Sequence, residues 1–429
     1  MRLAAVAGLG AWLAAGAAGA TFSRDVAPIL YRHCAGCHHA GAIAPFPLLS
    51  YQDAAPRAQA IATATALRSM PPWLPSAPRF KDERRLSQTE IATLQQWAAA
   101  RAPEGNPAEL PPVPHFTSGW ALGKPDLEVE MRAPYTVPEH GHDIYRCFAI
   151  PLPNLPQKYV RAIDIRPGNS KVVHHILLFQ DVTGTARRRD RGDGYSCFGT
   201  PGFLPANGLG GWTPGMQPFV MLPGMAETLY SGADLVLQIH YHAHGEPETD
   251  RTRVALYFTT ERPRRHMMDI GLSSNRIDIP PGDRNYMVYD RFTIPVDVEL
   301  MGIIPHAHYI CKEMTGIAVL PDGTRRTLLH IPDWNFDWQG QYWYPAPVLL
   351  PAGTRVEMRF RYDNSAENPR NPNHPPQRVE YGPSSTDEMA GLHLQVAPVR
   401  ESDLQELGQA LWGKMMRSLG GGIYRPPEK

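Results

Sequence analysis

HCAGCHH, residues 33–39, holds two thiols and an imidazole at the spacing C-x-x-C-H. Thiols so spaced can add to the two vinyl groups of one haem, and the histidine that follows can ligate its iron. Cys34 and Cys37 are therefore candidate attachment points and His38 the candidate proximal ligand. A redox CxxC and half of a zinc site are the rival chemistries. The first lacks a thioredoxin-like βαβ pattern around it, and the second lacks another cysteine pair nearby. For the sixth iron position, ALRSMPPWLP offers Met70, with two prolines to stiffen its loop. The alternative is a methionine that packs locally. His33 and His39 are weaker candidates, expected at the surface.

A second chemistry lies further along, where fourteen of the 17 histidines follow residue 114. LQIHYHAHG carries histidines at 240, 242 and 244, KVVHHILLF holds His174 and His175, and IIPHAHYIC holds His306 and His308. Alternate residues of a strand share a face, so an i, i+2 pair can grip one ion. An adjacent pair faces opposite sides unless the backbone is twisted or bulged. Scattered surface histidines are the plain alternative, and three clusters in one segment argue against it. Sites rich in imidazole with an occasional thioether suit copper that cycles between two oxidation states.

The elements that must position these groups fall into two styles. Of 429 residues, 43% are hydrophobic, and the 44 prolines and 37 glycines predict many turns. Lysine plus arginine and aspartate plus glutamate number 42 each, which argues against nucleic acid or an anionic membrane as partner. Residues 1–20 read as a cleavable export signal ending Ala18-Gly19-Ala20, with an uncleaved anchor as the alternative. No later stretch has the ~18 apolar residues of a membrane span, so the mature chain is expected in the bacterial periplasm without stable membrane insertion. Ser87 and Glu90 predict a capping box, followed by an apolar helix face of Ile91, Leu94, Trp97 and Ala98. Residues 21–104 resemble a small class of c-type cytochrome domain, with DVAPIL before the haem motif and MPPW after it. A proline-rich linker is expected over 105–117. From 118 onward, runs such as YVRAIDI, VALYF and RVEMRFRY alternate between turns, the pattern of β-sandwiches. Their junction is expected at ERPRR, 261–265, giving sandwiches over 118–262 and 263–400. RRRDRGDG, 187–194, reads as a solvated loop or a docking patch for a redox partner. Residues 401–429 should form an amphipathic helix and tail, with Leu404, Leu407, Leu411 and Met415 as the stripe, a possible Ser402–Gln405 capping box and Gly420 as the stop.

The order HH, LQIHY, HAH, STDEM resembles that of the copper type II monooxygenases, the family of peptidylglycine α-hydroxylating and dopamine β-monooxygenases. The likeness spans about 118–400 and includes DIYRC, GGW and YGPSSTDEM. It implies two copper ions per chain beside the one covalent haem c. His174, His175 and His240 would hold an electron-transfer copper, and His306, His308 and Met389 the copper that meets O2. Tyr145 and Gln238 match family residues near the first copper, and Cys147–Cys197 matches a family disulfide, leaving Cys311 free. His242 and His244 then become residues of the rim or of the layer just outside the ligands. Two departures stand out. Ile304 replaces the arginine that clamps a peptide carboxylate, and His393 replaces a tyrosine. A peptide C-terminus is thus not the expected substrate. His393 either lines the substrate pocket or is an ordinary strand histidine.

The resulting expectation is a small all-α cytochrome c domain followed by two mainly-β, jelly-roll-like sandwich domains. They would form a periplasmic copper monooxygenase that hydroxylates a C–H bond of a small organic substrate. An upstream donor would feed electrons through the fused haem, and the protein would hold the two metals apart. The alternative is a haem and copper electron-transfer or copper-handling protein without oxygenase activity.

Overall fold

The computed structural model describes residues 19–419 apart from 117, 118, 142 and 244, and the side chains of 418 and 419 are also left undescribed. Most of the expected export signal, His244 and Gly420 with the tail beyond it therefore lie outside the described residues.

The expected fold class is overturned. The chain is mostly β, 34% strand against 17% helix, and its N-terminal part has only short helices in place of an all-α cytochrome c domain. These are a π-helical turn Phe22–Val26, then Ala27–His33, Tyr51–Ala54, Ala58–Ala66 and Gln88–Ala99. Proline at 45, 47, 71, 72, 75 and 78 keeps the intervening chain irregular. One compact unit contains the described residues up to Pro72 together with Arg84–Phe116, and the other contains Trp73–Glu83 with the described residues beyond 116.

In the N-terminal unit, Phe22, Val26, Leu30, Leu48, Ile61, Leu94 and Trp97 form the core. The helix Gln88–Ala99 starts at the expected capping box: Ser87 Oγ accepts from Glu90 N–H, and the Glu90 carboxylate accepts from Ser87 N–H. Residues of the expected linker are bound to this unit, since Phe116 stacks on His39 with ring centroids 3.8 Å apart.

The second unit contains six separate antiparallel sheets of two to five strands among the described residues, rather than two jelly rolls. One five-stranded sheet has the order Tyr195–Ser196, Ile144–Pro151, Asp234–Tyr241, Val173–Asp181, Gly208–Trp212. Its apolar face meets Ile163, Ile165, Val254 and Leu256 of a second five-stranded sheet. The strand Asp234–Tyr241 is buried along its whole length. Leu235, Leu237, Ile239 and Tyr241 enter that core, while Gln238 and His240 face the other way.

A second core joins two four-stranded sheets. Ile303, Leu392, Leu394 and Val396 come from one, and Val288, Met314, Val356, Met358 and Phe360 from the other. Phe80, from the Trp73–Glu83 segment, is buried in this core beside Tyr342 and Tyr344. That apolar burial explains why the segment leaves the N-terminal unit. The C-terminal helix Leu404–Leu419 buries Leu407 and packs Leu411 on the same core. Met415, assigned to the stripe from sequence, is 41% exposed, and Ser402 Oγ donates to Asp403 instead of capping the helix. Arg187 pairs with Asp234, Arg188 donates to Thr183 O and Arg189 lies over Tyr195, so the basic loop is tied to its own unit.

Candidate metal centre

The adjacent pair His174–His175 shares a site because of a bulge. His240 is opposite His175, yet Tyr241 is opposite Val173, so His174 is the extra residue in its strand. The bulge turns His174 toward the face of His175. The three Nδ1 atoms converge: His174 to His175 is 3.2 Å, His174 to His240 3.2 Å, and His240 to His175 3.4 Å. One ring nitrogen carries one proton or one lone pair, so three such contacts cannot all be hydrogen bonds. Three imidazoles on a tetrahedral ion with bonds of ~2.0–2.1 Å would place their donor atoms roughly 3.3 Å apart. The triangle matches that spacing.

Tautomers agree with it. His174 Nε2–H donates to Phe336 O at 3.3 Å, leaving the Nδ1 lone pair inward. Burial, followed by neighbouring histidines, holds His174 and His175 well below the usual imidazole range. Burial likewise pushes His240 down to about 3, against the opposing pull of Asp143. Neutral imidazole is the form a metal requires. Tyr145 lies opposite His240 and stacks on it, centroids 4.2 Å apart. Cys147 and Cys197 form a disulfide. Gln238 lies against that disulfide, its Nε2 3.5 Å from Cys197 Sγ, so its contacts are with sulfur rather than with the histidines.

His306 closes the strand Val298–His306, and His308 lies beyond the strand end, so the pair is not an i, i+2 strand pair as expected. Their ring centroids are 5.3 Å apart. His306 Nδ1–H donates to Gln339 Oε1 at 2.6 Å, and His308 Nδ1–H donates to Asp387 O at 3.2 Å. Both bonds leave Nε2 available, and His308 Nε2 is buried with no hydrogen-bond partner. Burial lowers His306 to about 4 and His308 to about 3. Met389 is half-buried in the loop beside them. Its N–H donates to Glu388 Oε2, and its carbonyl accepts from Tyr362 Oη at 2.6 Å. The expected separation of the two groups is not seen. The His175 and His306 rings are 5.9 Å apart, and the Gln339 amide reaches both groups, with Nε2 3.4 Å from His174 Nε2.

Ile304 lies opposite His393 in the sheet. His393 Nδ1–H donates to Asp269 Oδ2 at 2.7 Å, and that carboxylate raises its pKa. Gly391 lies opposite His306 in the sheet, and a Cβ there would make ordinary contact with His393 Nε2 at 3.5 Å and His306 Cβ at 3.8 Å.

Four residues that the sequence reading passed over organise the site. Phe336 stacks on His174 at 4.3 Å and edges onto His308 at 5.5 Å. Gln339 bonds His306 through Oε1, and its Nε2 is in contact with His174 Nε2 without a hydrogen bond, since both nitrogens carry hydrogens. Asp143 accepts from His242 Nδ1–H at 2.8 Å and from Ser385 N–H. Glu388 is wholly buried and accepts from four backbone N–H groups, those of His308, Ile310, Cys311 and Met389. Burial still pushes its carboxyl up to about 8. The available signals were the aspartate that opens DIYRC, the aromatic run DWNFDWQGQY, and an acid directly before Met389.

In the N-terminal unit, His38 Nδ1–H donates to Phe46 O at 3.0 Å, which leaves Nε2 for an iron. His38 N–H and Cys37 N–H both donate to Cys34 O, folding the motif into one turn after the helix Ala27–His33. Burial, then Cys37, pushes the Cys34 thiol up to about 12. Met70 is half-buried after the helix Ala58–Ala66, its N–H on Ala64 O at 3.3 Å. His33 and His39 are not free surface residues: His33 meets Glu90 at 3.1 Å, and His39 donates to Ala35 O at 2.8 Å.

No family model matches the chain, and no curated protein matches it. Among solved structures it is similar to the major capsid protein P2 of bacteriophage PM2, at 10% identity and TM-score 0.25, over 63% of this chain and 97% of that one. It is also similar to the VP2 subviral particle of infectious bursal disease virus, at 11% identity and TM-score 0.20, over 67% and 74%. Likenesses this low carry no argument about fold or function.

Proposed function

We propose that the chain is a copper-dependent monooxygenase that hydroxylates a C–H bond of a small organic substrate with O2, taking electrons through a haem attached at Cys34 and Cys37. The observation that carries this reading is the Nδ1 triangle of His174, His175 and His240, with the free ring nitrogens of His306 and His308 beside it. Copper bound there would supply one-electron transfer and dioxygen activation. The chain's own residues would do the rest. The bulge at His174 aims three lone pairs at one point, and Tyr145 and Phe336 hold the rings by stacking. Gln339 and Asp387 fix the tautomers of His306 and His308, and Glu388 ties their loop to Met389. Export to the periplasm and an upstream electron donor belong to the same reading. Among the described residues no helix is long and apolar enough to cross a membrane.

The test is O2 uptake by reduced, copper-loaded protein across a panel of small organic substrates, with mass spectrometry for addition of one oxygen. Loss of uptake in His306→Ala supports the reading; equal uptake by the variant and the parent refutes it. The close approach of His175 and His306 favours a second reading, a copper-handling or electron-transfer protein with no space for substrate between the groups. One tight copper per chain without O2 uptake would select it.

A further inference from the structure

We propose a second metal seat beside the histidine triangle, formed by Asp143, His240 and His242 and suited to a divalent cation of borderline softness such as Zn2+ or Cu2+. It does not depend on the monooxygenase reading. His240 has two faces. Its Nδ1 belongs to the triangle, and its Nε2 points away from it, buried and without a hydrogen-bond partner. The side chain is fully buried, so water does not relieve that nitrogen. Asp143 Oδ1 lies 3.6 Å from it, beyond hydrogen-bond length, and 2.8 Å from His242 Nδ1. The other carboxylate oxygen is already used by Ser385 N–H. Oδ1 carries only the His242 Nδ1–H bond, which a metal would replace as that proton moves to the unpartnered His242 Nε2, and the three donor atoms all lie within 4.8 Å of one another. A tetrahedral cation would hold its donors roughly 3.3 Å apart, between the two measured separations.

Two imidazoles and a carboxylate make a harder donor set than three imidazoles, so this seat prefers a divalent ion where the triangle accepts copper in either oxidation state. Filling both seats makes His240 a bridging imidazolate, and its Nε2 proton leaves to water on loading. No electron moves.

The rival is that Asp143 only orients His240. Full-length protein and the variants Asp143→Asn and His242→Ala are loaded with Zn2+ or Cu2+, desalted and counted by elemental analysis. Circular dichroism monitors folding. We expect each variant to bind one divalent ion fewer per chain than the parent. In the Cu2+ form the parent should show a spin-coupled, diminished electron paramagnetic resonance signal, and each variant the full signal of isolated Cu2+. His242 is 26% exposed, so its truncation leaves a folded variant even if Asp143→Asn does not fold. Equal metal counts in parent and variants, with a signal of isolated Cu2+ in all three, would overturn the proposal and leave Asp143 as a positioning residue.

Discussion

Replacing Gln339 by leucine tests whether the two histidine groups are coupled through one amide. Gln339 is 7% exposed, and its Oε1 accepts from His306 Nδ1–H at 2.6 Å. Its Nε2 lies 3.4 Å from His174 Nε2, a far weaker contact, and His174 has Phe336 O at 3.3 Å as another partner. Leucine keeps the approximate shape and removes both polar atoms. The buried His306 Nδ1–H then loses its acceptor, which costs about 1–3 kcal/mol. Loss of an outer partner of a ligating histidine weakens metal by about 10–100-fold, or about 1.4–2.7 kcal/mol. The effect should be lopsided: copper at His306 and His308 weakens by this factor, and copper at the triangle changes by less than about threefold. Competition against a colorimetric Cu(I) chelator reads the two affinities, and thermal unfolding reads the fold. Gln339→Glu, which keeps an acceptor for His306, should restore the affinity. Equal weakening of both sites, or a fall in melting temperature with both affinities intact, would show that Gln339 is merely structural.

Other consequences are open to simpler measurement. On the proposed reading, Cys34→Ser together with Cys37→Ser should abolish covalent haem, seen as loss of haem stain on a denaturing gel, while metal binding at His174, His175 and His240 persists. Removing the disulfide by Cys147→Ala and Cys197→Ala opens a crosslink spanning 50 residues and should lower stability by about 2–4 kcal/mol in denaturant unfolding. Burial raises Glu227 from 4.5 to about 7, although Asn207 Nδ2–H donates to it at 3.0 Å. Its folded pKa exceeds its unfolded one, so its contribution is full below pH 4.5 and is lost as pH rises through 7. Glu227→Gln should therefore gain stability relative to the parent at pH 8, by up to about 3 kcal/mol, and gain nothing at pH 4. An unchanged difference across that range would mean the carboxyl is not desolvated.

Local chemistry was legible in the residues themselves. The Ser87–Glu90 box was readable because its partners are three residues apart and bind each other's backbone. The residues of C-x-x-C-H share one turn because their spacing is local, with Cys37 and His38 N–H both on Cys34 O. His174 and His175 announced a bulge, since only an irregular strand turns neighbours to one face. The global plan was not legible in the same way. Alternation shows that a segment is a strand but not which strand it will join, so six small sheets replaced the two expected jelly rolls. Phe80 carries no mark in the sequence that it will be buried between Tyr342 and Tyr344, and its burial moves Trp73–Glu83 out of the haem-motif unit. Gln339 and Asp143 are ordinary polar residues until folding sets them against histidines more than 90 positions away. Residue type and short spacing fix what chemistry is available; burial and long-range pairing, which sum over the whole chain, decide which of those groups meet.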